Sequence, residues 1–296
     1  ARVTAGLQLM AWGLFKKVVV ADRLAVLVDA VYKQPTQYHG IPLIAATYAF
    51  AYQIYCDFSG YSDIAIGSAQ VMGIRLMTNF RQPYQARSIA EFWQRWHISL
   101  STWFRDYLYI PLGGNRGGRW RWAFNIMVVF LVSGLWHGAN WTYVLWGAIH
   151  GAYMVAGQAL RPLGARLLTA WGRTARSLRL AAALQTLVTF HLVLLAWVFF
   201  RANTVTDAVH VLRHALSGLE LRGGYGIGGG GAYELAVAAC AILAMEWVQF
   251  RQRRGSVRAQ LSRWPAPARW AAYYALVLAI LMFGKFQIRD FVYFQF

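Results

Sequence analysis

Acidic side chains are scarce in this 296-residue chain, 11 against 29 lysines and arginines, and charged residues of both signs make up only 14% of it. A soluble domain carries about 25% charged and about 45 to 50% apolar residues, whereas this chain is 58% hydrophobic. The composition therefore points away from a water-soluble globule and toward the lipid bilayer as solvent. Cysteine is nearly absent. Cys56 and Cys240 are too few for a disulfide framework and lack the spacing of a metal site, so both are expected to pack and no metal is expected. Also missing are a GKS or GKT phosphate loop, a serine nucleophile elbow and an HExxH pair, which leaves covalent serine chemistry and zinc chemistry without support. No internal repeat is visible, which weakens a reading as an inverted-repeat transporter. The chain opens at Ala1 without an initiator methionine or a signal-peptide pattern, so the expectation is a fragment of a longer protein lacking N-terminal spans.

What is abundant supports the same class. There are 14 tryptophans and 16 tyrosines, rings that concentrate at the two membrane interfaces because one end is wet and the other dry. The net charge of +18 does not indicate nucleic acid, because the arginines alternate with apolar runs and form no single basic domain. Retention of cytoplasmic loops and attraction to anionic lipid account for them.

A membrane span needs about 20 mostly apolar residues. Residues 4–31 form a first candidate interrupted by Lys16, Lys17, Asp22 and Arg23, readable as two pieces or as an interfacial helix. Residues 41–56 are apolar and lead into Asp57 and Asp63, beyond which 64–74 is apolar again. Residues 88–110 read as one amphipathic interfacial or re-entrant helix: Ser88 and Glu91 make a capping box, aromatic and basic positions interleave, and Pro111 with Gly113-Gly114 ends it. Residues 120–160 are nearly uncharged and predict a helical hairpin turning near Gly138-Ala139-Asn140. Runs at 180–200, 231–250 and 270–284 are further spans, the last short enough to be tilted or partly buried in protein. Gly223 to Gly231 reads as a flexible loop. Arginine clusters over 161–179 and 251–269 place those loops in the cytoplasm, with 201–230 outside.

Ionisable groups at membrane depth cost roughly 2.5 to 3.5 kcal/mol, so those that persist face a protein interior or an aqueous cavity. His137, in Ser133-Gly134-Leu135-Trp136-His137-Gly138-Ala139-Asn140-Trp141, has small neighbours that leave room for a substrate, and a neutral imidazole there suits a general base. A structural histidine bonded to a backbone carbonyl explains the same residues as well. His97 shares a helix face with Trp93 and Ser101 at i−4 and i+4, and on spacing alone reads as a packing residue. His150 reads as structural. Asp57 and Asp63, six apart, would point to different faces of a continuous helix unless Gly60 breaks it. They either mark an ion path or pair with an arginine such as Arg75, Arg81 or Arg105.

These residues also resemble a family. Gly13-Leu14-Phe15-Lys16-Lys17-Val18, Asp57 to Ala65, Asn79-Phe80-Arg81-Gln82-Pro83-Tyr84, Phe92 to Gly114, and Gly134 to Ala139 are similar to stretches of the membrane-bound O-acyltransferases, and among them the bacterial alginate O-acetyltransferase type. The closing Tyr293-Phe294-Gln295-Phe296 is similar too. The resemblance implies an all-α, polytopic membrane protein: a single membrane-embedded domain over 1–296, built as a ring of tilted transmembrane helices with re-entrant or interfacial helices around a central tunnel. It implies multi-pass insertion in the bacterial inner membrane and a catalytic role for His137 and His97. Asp57, Asp63, Trp136, Asn140 and Arg105 are then expected to bind substrate. No tightly bound cofactor is expected; the acyl donor would be acetyl-CoA or another acyl thioester. Partners would be periplasmic acetyltransferase proteins of a polysaccharide-modification complex, the lipid bilayer and a polysaccharide acceptor such as alginate or cellulose. Alternative readings are a D-alanine transferase of the teichoic-acid type and a transporter or flippase for a lipid-linked sugar.

Overall fold

A computed structural model of the protein describes residues 2–170, 174–218, 232–253 and 255–286. Every regular element among the described residues is helical: α1 Arg2–Leu14, α2 Asp22–Tyr32, α3 Ile41–Met72, α4 Ile89–Arg95, α5 Ile98–Phe104, α6 Arg119–His137, α7 Trp141–Ala170, α8 Ala175–Arg201, α9 Val205–His214, α10 Ala232–Gln252, α11 Val257–Leu261 and α12 Ala266–Phe283. The glycine-rich stretch 223–231 and the closing 293–296 lie outside the described residues. The chain forms two compact units, one of Ala1–Thr78 with His214–Phe296, the other of Asn79–Arg213.

Three helices are long and apolar enough to cross a bilayer, Ala175–Arg201, Tyr233–Gln252 and Ala266–Phe283, matching the runs expected at 180–200, 231–250 and 270–284. The described residues thus make an all-helical fold with three helices of membrane-spanning length and composition. Of the two alternatives for the last run, tilt or partial burial in protein, the described residues do not provide the burial: 6% of its apolar window is covered, against 39% in α8. Trp270, Tyr274, Leu281 and Met282 of α12 point outward, as a lipid-facing surface does.

In the first unit, residues 2–32 form one helical course, because α1 and α2 are joined by a π-helical segment, Phe15–Ala21. The four charged residues that interrupt the apolar run lie in and just after that segment, and α3 supplies most of their partners. α3 runs unbroken for 32 residues, so Gly60 does not divide it. Gly60 instead lets two backbones touch: a Cβ placed there would lie 2.7 Å from the Gly13 carbonyl oxygen, and one on Gly67 would lie 2.6 Å from that of Gly6. Glycines seven apart on each antiparallel helix thus form a small-residue seam. The close approach brings Lys16 Nζ to 2.8 Å from Asp63 and lets it donate to Ser59 Oγ at 2.9 Å. Lys17 Nζ lies 2.5 Å from Asp57 and 2.9 Å from Asp22. The carboxylates therefore pair with lysines and not with Arg75, Arg81 or Arg105. The reason is angular, since positions six apart on α3 diverge by about 120°, and two neighbouring lysines on the facing segment also point apart and reach one acid each.

The same unit gathers the later helices onto the π segment. Arg23 at the start of α2 pairs with Glu234 of α10, which also holds Lys285 Nζ at 2.8 Å, just beyond α12. The Lys285 backbone N–H donates to the Val18 carbonyl at 2.9 Å. A π turn displaces carbonyls from the regular α ladder, and here one of them receives an amide from the far end of the sequence.

In the second unit the expected hairpin forms, α6 ending at His137 and α7 starting at Trp141. A Cβ on Gly134 would strike the Tyr143 carbonyl and one on Gly147 the Phe130 carbonyl, so this seam also needs glycine. α7 continues to Ala170, so Arg161 and Arg166 are helical and not part of a loop over 161–179. The segment 88–110 is not one helix. The serine half of its capping box forms, with Glu91 N–H donating to Ser88 Oγ at 3.1 Å, while Glu91 Oε2 accepts the Arg87 N–H at 2.7 Å, one residue before the cap. The chain then turns at Trp96-His97 and restarts as α5, followed by a π turn over Arg105–Tyr109. The face expected to be shared by Trp93, His97 and Ser101 is lost at this break.

Candidate active site

Aromatic side chains from four helices of the second unit meet in one cluster. Trp146 and His150 stand one turn apart on α7, and Trp197 and Phe200 stand three residues apart on α8, spacings that put each pair on one face. Trp93 of α4 reaches both α7 residues, with ring centroids 5.7 Å from Trp146 and 5.0 Å from His150, and its indole N–H donates to His150 Nδ1 at 3.3 Å. Trp146 stacks on Trp197 at 6.0 Å. His150 is fully buried, as a structural histidine should be.

His137 lies at the rim of this cluster as the last residue of α6. Its ring meets Trp146 at 5.1 Å and 89°, Phe200 at 5.2 Å and 77°, and Trp136 at 5.0 Å and 80°. Three near-perpendicular ring contacts hold the plane of the imidazole. The residue is half-buried, so it combines an ordered position with access.

His97 reaches the site by a different route. It occupies the left-handed region at φ 42° and ψ 55°, a conformation L residues adopt rarely, and there it caps α5, its Nδ1 accepting the Leu100 N–H at 3.4 Å. Burial pushes its imidazole down to about 4, so it is neutral near pH 7. Its neighbour Trp96 meets Trp197 of the cluster at 5.1 Å between ring centroids. Asn79 braces the turn. Its Oδ1 accepts the Ser99 N–H at 3.0 Å and the Ser99 hydroxyl at 2.7 Å, while its carbonyl accepts the Ile98 N–H at 3.0 Å.

The remaining expected site residues divide. Trp136 is exposed and lies against His137, with Phe104 of α5 at 6.5 Å. Asn140 accepts the Thr142 N–H at 3.1 Å and donates to the Asn203 carbonyl at 3.0 Å, which caps α7 and ties the turn to the segment after α8. Arg105 is exposed and chelates its neighbour Asp106 at 2.7 and 3.2 Å, and those hydrogen bonds hold the Asp106 carboxyl below its usual range. Asp57 and Asp63 belong to the first unit and its lysine pairs. Among the described residues no group of three histidine, cysteine, aspartate or glutamate side chains is placed to hold a metal. Sequence reasoning missed Trp146, Phe200 and Asn79. The helical spacing could have indicated the aromatic pairs, but nothing in the sequence links Asn79 to a histidine 18 positions on.

Comparison with known proteins identifies the family. A model of the membrane-bound O-acyltransferase family matches residues 2–201, which contain the whole histidine site. The chain is 47% identical over 196 residues to the probable alginate O-acetylase AlgI of Azotobacter vinelandii, an overlap of 66% of this chain and 37% of that protein. It is 39% identical over 223 residues to the peptidoglycan O-acetyltransferase of Helicobacter pylori, covering 74% of this chain and 40% of the relative. A more distant similarity, 34% over 130 residues, links it to the teichoic acid D-alanyltransferase of Streptococcus thermophilus, covering 40% of this chain and 30% of that protein. The chain thus spans well under half the length of the curated relatives it matches.

Proposed function

Because the chain belongs to the membrane-bound O-acyltransferase family, we propose that it forms the acyl-transferring part of a multi-pass inner-membrane enzyme that O-acetylates a cell-surface polysaccharide, with His137 as general base. The observation that supports this most is His137's place at the rim of the aromatic cluster, its half-buried ring set against three aromatic rings, in a unit that also holds His97 on a left-handed turn. In this reading an acceptor hydroxyl gives its proton to His137 as its oxygen attacks the carbonyl carbon of an acyl thioester. The C–S bond then breaks, and the departing thiolate takes the proton back from His137. The aromatic walls keep water from competing for the thioester.

The donor is acetyl-CoA or another acyl thioester reaching the site from the cytoplasm. The acceptor is an exopolysaccharide of the alginate or cellulose kind, reached through periplasmic acetyltransferase partners. The helices would form a ring around a tunnel in which the two substrates meet, with the arginine-rich ends of α7, α8, α10 and α12 toward the cytoplasm. Trp136 would line the substrate path. The D-alanyl alternative has the weaker support, because that relative shares fewer positions than the O-acetylating ones. A proton-driven transporter draws little support from Asp57 and Asp63, since each is neutralised by a lysine.

The test is His137→Ala, purified in detergent, with thermal melting, donor binding and free-thiol release measured on one preparation. Loss of a general base should cost on the order of 10² to 10⁴ in rate while melting and donor binding stay near wild type. Thiol release at the wild-type rate would remove His137 from the chemistry.

A further inference from the structure

The His137 ring rests against Trp146, and the neighbours of Trp146 show what holds it in turn. Its indole is buried, and the indole N–H has no hydrogen-bond partner among the described residues, so the surrounding rings set its orientation. Two of them are Trp93 of α4, 5.7 Å away, and His150, 5.2 Å away and one turn further along α7. These two are joined by a directional contact, the Trp93 indole N–H donating to His150 Nδ1 at 3.3 Å. An indole nitrogen can only donate, so Nδ1 is the acceptor and the neutral ring carries its proton on Nε2.

Histidine is a costly choice for this place. His150 is fully buried, Phe92 and Phe130 lie nearly parallel to its ring at 6.2 Å, and Nε2 has no hydrogen-bond partner among the described residues. A phenylalanine would fill the same space without leaving a ring nitrogen unsatisfied, so packing alone does not call for an imidazole. What the imidazole adds is the acceptor for Trp93. The helices themselves have no room to compensate for a misplaced ring, because the backbones of α6 and α7 already touch at Gly134 and Gly147.

We propose that His150 is a positioning residue which, by accepting the Trp93 N–H, fixes the two rings that set the orientation of Trp146 and hence the plane of the His137 imidazole. This rests on the acyltransferase reading above, in which His137 takes the proton of the acceptor hydroxyl. A base must stand within hydrogen-bond reach of the proton it removes, and a displacement of about 1 Å can cost on the order of 10² in rate. Trp93 also meets Phe130 at 5.3 Å, on α6, the helix that ends at His137. The same hydrogen bond therefore braces both the ring that His137 leans on and the helix that carries it.

The experiment measures kcat and donor KM by thiol release, with thermal melting, on the full chain in detergent, and it separates the ring of His150 from its acceptor. His150→Phe keeps the ring and loses the acceptor, so it should melt near wild type, leave donor KM unchanged and lower kcat by about 10- to 100-fold. His150→Asn loses the ring but can place its Oδ1 where Nδ1 stood, so it should melt lower than His150→Phe and yet turn over faster. A packing role would give the opposite order. Trp93→Phe deletes the donor, should lower kcat to a similar extent, and should cost nothing further when combined with His150→Phe, the non-additivity of residues acting as a unit. Trp93→Phe also carries the comparison with His150→Asn should His150→Phe not fold. The assignment would be overturned by a wild-type kcat in His150→Phe or Trp93→Phe, by His150→Asn slower than either, or by losses that simply multiply in the double variant. His137→Ala on the same assay keeps the two readings apart: a wild-type rate there removes the base, whereas an inactive His137→Ala beside a fully active His150→Phe removes only the positioning.

Discussion

Replacing Gly60 by alanine adds a single methyl group and should destabilise the first unit, whereas the same change at Gly157 should not. At Gly60 the new Cβ would lie 2.7 Å from the Gly13 carbonyl oxygen and 3.2 Å from the Lys17 amide nitrogen, both backbone atoms with no side-chain freedom to retreat. An ordinary contact needs about 3.4 Å or more, so α1 and α3 must separate by roughly 0.7 Å, and a gap of that size forfeits a quarter to a half of each dispersion contact across the seam. The Lys16–Asp63 and Lys17–Asp57 pairs, at 2.8 and 2.5 Å, stretch with it. Overpacking of this kind costs about 1 to 3 kcal/mol. Gly157 on the exposed side of α7 would place a new methyl with nothing within 4 Å of it, so alanine there gains helix propensity of about 0.5 to 1 kcal/mol. Tryptophan-fluorescence melts of both variants in one detergent should therefore shift in opposite directions. Equal shifts, or no loss at Gly60, would refute the seam.

Three further outcomes follow from other contacts. Asp57→Asn leaves Lys17 with Asp22 alone in a largely apolar setting, and removing one partner of a buried pair costs about 3 to 5 kcal/mol, with the remaining salt bridge favouring the lower end; the same melts should show a lowered midpoint, and an unchanged one would refute the cost. The native state of His97 takes up its proton only near pH 4, while an unfolded histidine does so near 6.5, so its contribution to stability is complete above 6.5 and falls as the pH drops toward 4. The fall in melting temperature between pH 7.5 and 4.5 should accordingly be smaller in His97→Gln, and an unchanged fall would place the titration elsewhere. In a Cys240→Ser background, cysteines at Arg176 and Ser256 should resist an impermeant thiol reagent in intact cells and one at Leu216 should react, since arginine-rich segments stay in the cytoplasm; the reverse pattern would invert the topology.

Composition and run length alone carried the solvent, the all-helical class, the three membrane-length helices, the α6–α7 turn at 138–140 and the capping box at Ser88, because each depends on neighbours in sequence or on a simple periodicity. The motif around His137 was equally legible. What only the tertiary structure decided is which residues meet across long separations. Asp57 and Asp63 found Lys17 and Lys16 some 40 positions away because glycines let two helices touch. His97 became a cap on a broken helix, since hydrogen bonds donated to Asn79 by Ile98 and Ser99 and the packing of Phe92 and Trp96 outweigh the helical spacing of its neighbours. An interhelical contact is the sum of two patterns at an unknown rotation and offset, and no local propensity encodes that offset. That is why the histidine could be found in the sequence while the meeting of its aromatic neighbours from different helices, and the asparagine that braces the turn after His97, could not.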